Sequence, residues 1–159
     1  MITVAVLTLS DKGSTGERVD QSGPLIAEII KNKCTVNYYE VLPDDREMIR
    51  KRLMEYTGKV DLILTTGGTG LSQRDVTPDA TLDVIERQVP GIAEAMRMEG
   101  MKKTNRSMLS RAVAGVKGRT LIINLPGSPK AVQENLETIL DVLPHAVEKI
   151  KGDTGECAR

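Results

Sequence analysis

The chain is predicted to be an α/β protein: a three-layer sandwich with a mostly parallel central sheet and helices on both faces. Three observations predict it. Short apolar, β-branched runs alternate with segments that carry apolar residues at helical spacing. The connections between them are short and contain Gly, Pro, Ser and Asp. The 159 residues suit one compact core, and no internal repeat or low-complexity tract interrupts them.

Residues 2–9 form an apolar run ended by Ser10-Asp11-Lys12, which reads as a buried strand. Ser22-Gly23-Pro24 then looks like a helix start with Ser22 as N-cap. Leu25, Ile26, Ile29 and Ile30 lie on one face of that helix. Residues 36–42 read as the second strand. Asp44 can cap the next helix, with Glu47 at the reciprocal capping-box position. Ile49, Leu53 and Tyr56 give that helix its apolar stripe. Residues 62–66 are a third strand and run directly into Gly67-Gly68-Thr69-Gly70.

Thr77-Pro78 opens another helix, Thr77 at the N-cap and Pro78 at the first helical position, with Leu82, Ile85 and Val89 facing inward. Pro90-Gly91 breaks it, and residues 92–103 form a further helix. Residues 120–125 are a buried strand ending in Pro126-Gly127-Ser128-Pro129. Ser128 caps a helix with Val132, Leu136, Ile139, Leu140 and Leu143 on one side, and Pro144 restarts a last helix through Ile150. The expected organisation is one domain over residues 1–152 and a flexible tail over 153–159.

Composition excludes several functions. With no Trp, no Phe and three Tyr, the chain lacks stacking platforms for single-stranded nucleic acid, so no nucleic-acid partner is expected. No apolar run is long enough for a membrane span. Cys34 and Cys157 form no metal or redox motif and read as reduced thiols, and no export signal precedes residue 2; a cytoplasmic protein is expected. His145 is the only histidine, which excludes a His-rich metal site and leaves a Ser-His-Asp triad one unpromising candidate. Formal charge balances at 22 basic and 22 acidic residues, yet residues 100–133 hold seven basic residues and no acid. That segment is either a solvated basic surface or a source of positive field for an anion.

Ligands of open α/β sheets bind outside the carboxyl ends of the strands, which selects the loops 10–22, 43–45, 67–77 and 126–129. In the third loop, Gly67, Gly68 and Gly70 flank Thr69 and leave backbone N–H groups able to form a phosphate nest. No Lys-Ser/Thr pair and no third dinucleotide glycine follows, so neither the P-loop nor the Rossmann pattern is present. Arg74 can meet phosphate oxygens. Asp75 can place a divalent cation or merely stabilise the turn. Pro126, Gly127 and Ser128 can bind an anion or simply start a helix. Ser10, Asp20 and Ser22 are the candidate contacts of the first loop, and Asp44 faces the crevice or caps a helix.

The residues 65–81, Thr-Thr-Gly-Gly-Thr-Gly-Leu-Ser-Gln-Arg-Asp-Val-Thr-Pro-Asp-Ala-Thr, closely resemble the signature of MogA-type molybdopterin adenylyltransferases, relatives of gephyrin and plant G domains. Leu42-Pro43-Asp44-Asp45, Leu109-Ser110-Arg111, Asp20-Gln21-Ser22-Gly23 and residues 121–129 resemble the same family in the same order. The resemblance implies the molybdenum cofactor biosynthesis protein fold and Mg²⁺-dependent transfer of AMP from ATP to molybdopterin. It carries the catalytic acids onto Asp44 and Asp75, which also become the metal ligands, and the active-site serine onto Ser110. It also implies a homotrimer, and a separate molybdate-inserting enzyme that receives the product. The intact Arg74-Asp75-Val76-Thr77-Pro78 run favours the MogA type over MoaB-type paralogues, where that run is usually absent.

Overall fold

The computed structural model describes residues 1–155. Its strands are β1 (Ile2–Leu9), β2 (Cys34–Leu42), β3 (Leu62–Thr66), β4 (Arg87–Gln88), β5 (Ala114–Lys117) and β6 (Thr120–Leu125). Its helices are α1 (Asp11–Ser14), α2 (Ser22–Ile30), α3 (Arg46–Tyr56), α4 (Thr77–Leu82), α5 (Pro90–Met101), α6 (Pro129–Ile139) and α7 (Leu143–Ile150), with a 3-10 turn over Asn105–Leu109. Cys157 and most of the expected tail lie outside the described residues.

One six-stranded sheet has the order β2-β1-β3-β6-β5-β4. The first four strands are parallel, and β5 and β4 join antiparallel at one edge. Period-two alternation feeds two cores. Val4, Val6, Leu62, Leu64, Leu121 and Ile123 face α2, α5, α6 and α7, and pack on Ile26, Ile30, Met96, Val132 and Leu136. Ala5, Leu7, Ile63 and Ile122 face α3 and α4, and pack on Ile49, Leu53, Tyr56 and Ala80. Burial on both faces explains why the central strands are so largely apolar. Truncating a residue such as Leu64 to Ala in these cores costs about 2–5 kcal/mol.

The register brings the strand ends together. Leu9 lies beside Leu42, Thr8 beside Thr66, and Thr66 beside Leu125. The four loops selected from the sequence therefore open at one edge of the sheet.

The structure corrects several local expectations. Ser22 lies inside α2, not at its cap. Asp20 Oδ1 accepts from the N–H groups of Ser22 and Gly23 instead, and the Ser22 hydroxyl donates to Gly127 O at 2.7 Å. Thr77 is likewise inside α4, its hydroxyl donating to Gly67 O. Asp45, not Asp44, caps α3 by accepting from Met48 N–H, and Glu47 turns to Arg50. In the first two cases a neighbouring loop carbonyl competes successfully for the hydroxyl. Ser128 does cap α6, accepting from Ala131 N–H. Leu82 is 44% exposed, because α4 ends there and the chain turns into β4.

The antiparallel edge was not expected. Its strands are four and two residues long, too short for a period to show. Gly115 is what lets β4 approach β5: a Cβ there would meet Ile85 Cδ1 at 2.5 Å and Arg87 O at 2.6 Å.

Candidate functional site

The carboxyl-end loops enclose a cleft of about 800 Å³. Ser10, Asp20, Ser22, Asp44, Gly67, Gly68, Asp75, Gly127 and Ser128 line it, so residues from all four loops meet there. Thr69, Gly70, Pro126 and Ser110 line a second cavity of about 300 Å³, built from the same glycine loop with α5, α6 and the 3-10 turn. All of the candidates except Arg74 thus divide between two cavities that share loops 67–77 and 126–129.

Hydrogen bonds between loops hold the cleft open. Thr66 donates to Pro126 O at 2.7 Å, tying the glycine loop to the last loop. Ser22, bonded to Gly127 O, ties the first loop to the last. Gly67 and Gly68 have φ values of 97° and 68°, which disfavour a side chain. A Cβ on Gly67 would also meet Leu9 O at 2.4 Å, and one on Gly68 would meet Thr77 Oγ1 at 2.3 Å.

The expected nest is narrower than four residues, because the Gly67 N–H already donates to Leu125 O. Among the described residues, no partner accepts from the N–H groups of Gly68, Thr69 or Gly70. These three are the donors left for an anion.

Arg111 is a residue that sequence reasoning undervalued. Its guanidinium donates to Gly70 O at 2.9 Å and to Asp75 O at 2.6 Å, and it pairs with Asp79 at 3.1 Å. Its backbone N–H also donates to Thr69 O. It braces the whole glycine loop from outside the cleft. The available signal was its place beside Ser110 in the family-like Leu109-Ser110-Arg111 run.

The acids differ sharply. Asp20 is saturated: Thr8 Oγ1 at 2.7 Å, Tyr39 OH at 2.5 Å and two N–H groups all donate to it. Burial alone would raise its pKa, but these bonds together outweigh burial and hold the carboxyl below its ordinary value. Tyr39 is pushed up to about 12, first by burial and then by the Asp20 carboxylate. Asp20 is therefore a clamp on the first loop, although it lines the cleft. Asp75 Oδ2 accepts from Ser72 N–H.

Asp44 is the exception. Its Oδ2 accepts from Asp11 N–H at 3.1 Å, while its buried Oδ1 has no partner. Burial, followed by the negative charges of Asp11 and Asp75, raises its pKa. Buried carboxylate oxygens in native folds almost always have a partner, so Oδ1 calls for a water, an ion or a ligand. Among the described residues, no group of three or more His, Cys, Asp or Glu could hold a metal by itself. An Asp44–Asp75 pair suits a cation that keeps water or phosphate oxygens as its remaining ligands, as Mg²⁺ does.

Arg74 lines neither cavity. Its guanidinium forks onto Asp11, with contacts of 2.8–3.0 Å. The acid-free segment does not present seven free charges. Lys102, Lys103, Arg111 and Lys117 pair with Glu99, Glu134, Asp79 and Glu86. Arg106, unpaired among the described residues, lines the second cavity. Cys34 is buried, and burial raises its pKa. Among the described residues, no helix is long and apolar enough to cross a membrane.

Comparison with known proteins accounts for this arrangement. The molybdopterin adenylyltransferase of Helicobacter pylori is 40% identical over 158 residues, covering 96% of this chain and 89% of that protein. Gephyrin of Dictyostelium discoideum is 46% identical over 156 residues, and this chain spans only 22% of its length. The crystal structure of the molybdopterin biosynthesis enzyme MoaB of Thermus thermophilus superimposes with a TM-score of 0.91 at 51% identity, covering 96% of this chain and 98% of that one. The family described as the probable molybdopterin binding domain matches residues 5–145, from the middle of β1 into α7, and the chain belongs to that family.

Proposed function

We propose that this chain transfers the adenylyl group of ATP to the phosphate of molybdopterin and releases pyrophosphate. The observation that carries the reading is the unpaired, buried Asp44 Oδ1, in a cleft that also holds Asp75 and opens beside free N–H donors. The adenylyltransferase named among its near full-length relatives supports the same reaction.

In this reaction a molybdopterin phosphate oxygen attacks the α-phosphorus of ATP. The new P–O bond forms as the bond to the β-phosphate oxygen breaks, and pyrophosphate carries away the electron pair. No side-chain nucleophile is needed, which fits a site without His or Cys. The chain's work is alignment and charge neutralisation. The N–H groups of Gly68, Thr69 and Gly70 receive phosphate oxygens, and Arg74, exchanged from Asp11, meets them. The second cavity, with Ser110 and Arg106, takes the other substrate. Asp44 and Asp75 would hold Mg²⁺, which neutralises phosphate oxygens when bound. The resemblance further supports a homotrimer, a cytoplasmic location and a separate molybdate-inserting enzyme as the recipient of the product.

The test is turnover with purified chain, molybdopterin, ATP and Mg²⁺, quantifying adenylylated product and pyrophosphate, with Asp75→Ala alongside. Product from the native chain and loss of about 10²–10³-fold in the variant is expected. Native activity in Asp75→Ala would remove Asp75 from the mechanism. Absence of product and of ATP binding, with molybdopterin still bound, would make the chain a carrier.

A further inference from the structure

We infer that Asp11 is a positioning residue for this cleft: its carboxylate anchors the Asp44 backbone, and with it the loop that carries the Asp44 carboxylate, and it holds the Arg74 guanidinium beside that loop. The inference rests on the adenylyl-transfer reading, because it assigns Asp11 a part in that site.

The strand ladder between β1 and β2 continues past the strand ends. Ser10 N–H donates to Leu42 O at 2.8 Å. Beyond it, Asp11 and Asp44 form a reciprocal pair. Asp11 N–H donates to Asp44 Oδ2 at 3.1 Å, and Asp44 N–H donates to Asp11 Oδ1 at 3.0 Å. One Asp44 oxygen is thereby fixed, so the other must stay in its buried, unpartnered position. The bond to Oδ2 comes from the Asp11 backbone and survives loss of the Asp11 side chain, whose own part is to hold the Asp44 N–H.

The same Asp11 carboxylate receives the Arg74 fork: Nε to Oδ2 at 3.0 Å and Nη2 to both oxygens at 2.8 Å. Asp11 therefore joins loops 10–22, 43–45 and 67–77. The fold has little need of this ion pair, whose side chains are 43% and 66% exposed, since exposed pairs contribute little to stability. Its geometry suits exchange instead. A phosphate presents the same forked acceptor with more charge, so an incoming nucleotide can take Arg74 from Asp11. Asp11 keeps the Asp44 N–H after that exchange, and Asp44 stays aimed.

The two roles are chemically separable. Accepting the Asp44 N–H needs only an oxygen, which an amide supplies. Retaining Arg74 needs the charge, which an amide lacks. The experiment compares the native chain, Asp11→Asn and Asp11→Ala for kcat, KM for ATP in Mg²⁺, and thermal midpoint. Asp11→Ala should lose about 10–100-fold in kcat, with its midpoint close to native. Asp11→Asn should restore kcat to within about threefold of native and lower KM for ATP, because Arg74 is released and a negative charge is removed. Native kcat in Asp11→Ala overturns the inference, as does a loss of kcat in Asp11→Asn equal to that in Asp11→Ala. Should Asp11→Ala not fold, Asp11→Asn alone decides: unchanged KM overturns the Arg74 role. A native chain that makes no product fails the adenylyl-transfer reading first and this inference with it, a result distinct from any difference among variants.

Discussion

Asn124 and Asp44 are two polar residues near the same strand ends, and the protein treats them in opposite ways. Asn124, on β6, is fully buried and well satisfied. Its amide donates to Thr65 Oγ1 at 3.0 Å and Thr81 Oγ1 at 2.9 Å, and its oxygen accepts from Val113 N–H. It fastens β3, α4 and the entry to β5 around one side chain. Asp44, one loop away, keeps a buried oxygen without a partner. A satisfied polar group inside a protein specifies structure; an unsatisfied one is held ready for something that arrives later.

Three measurements break or sharpen that contrast. The largest effect is expected from Asp44→Asn, whose kcat should fall about 10²–10³-fold. Its stability should move the other way. The folded pKa of Asp44 lies above its ordinary value, for the burial already described, so the native state binds this proton more tightly than the unfolded chain does. The ionised carboxylate therefore weakens the fold once pH has risen through that folded pKa, and the penalty is absent in acid. Thermal denaturation should show Asp44→Asn above native at neutral pH, with the gain vanishing at acid pH. A variant less stable than native at neutral pH would make Asp44 structural.

Asn124→Ala comes second. It strands the Val113 N–H and leaves a small cavity, which together cost about 3 kcal/mol. The midpoint should fall by roughly 6–12 °C. A fall of less than about 2 °C would show that the network can be replaced by water. The smallest effect separates two neighbouring acids on α3. Asp45→Ala should cost about 1 kcal/mol by removing a cap, while Glu47→Ala should stay within about 0.5 kcal/mol. Equal costs would restore the capping box expected from the sequence.

The parallel part of the sheet was legible because its strands are five to nine residues long and the three inner ones are buried and largely apolar. Strand ends followed from the apolar runs and the loops after them, so the four loops could be named before any distance was known. The antiparallel edge was not legible: Arg87 and Gln88 are exposed and carry no apolar signal, and Gly115 interrupts β5. Caps were misplaced by one residue, at Ser22 and Thr77 because their hydroxyls bond to carbonyls of other loops. Site chemistry was legible as residue types but not as division of labour. Asp20 and Asp44 are both loop acids after a strand, and only the count of their hydrogen bonds separates a clamp from a candidate ligand. Asp11 stood in a selected loop, yet its reciprocal bond to Asp44 depends on a backbone N–H that no residue type announces.

The Tyr39–Asp20 bond has a practical consequence. With no Trp in the chain, tyrosine emission has no indole to drain it. Tyr38 and Tyr56 form a tilted pair at 4.8 Å between ring centres, with Tyr56 bonded to Glu40, while Tyr39 is the tyrosine bonded to the first loop. A phenol bonded to a carboxylate emits differently from a free one. Were a bound nucleotide to draw Asp20 away from Tyr39, the change would be visible as light, without any attached label.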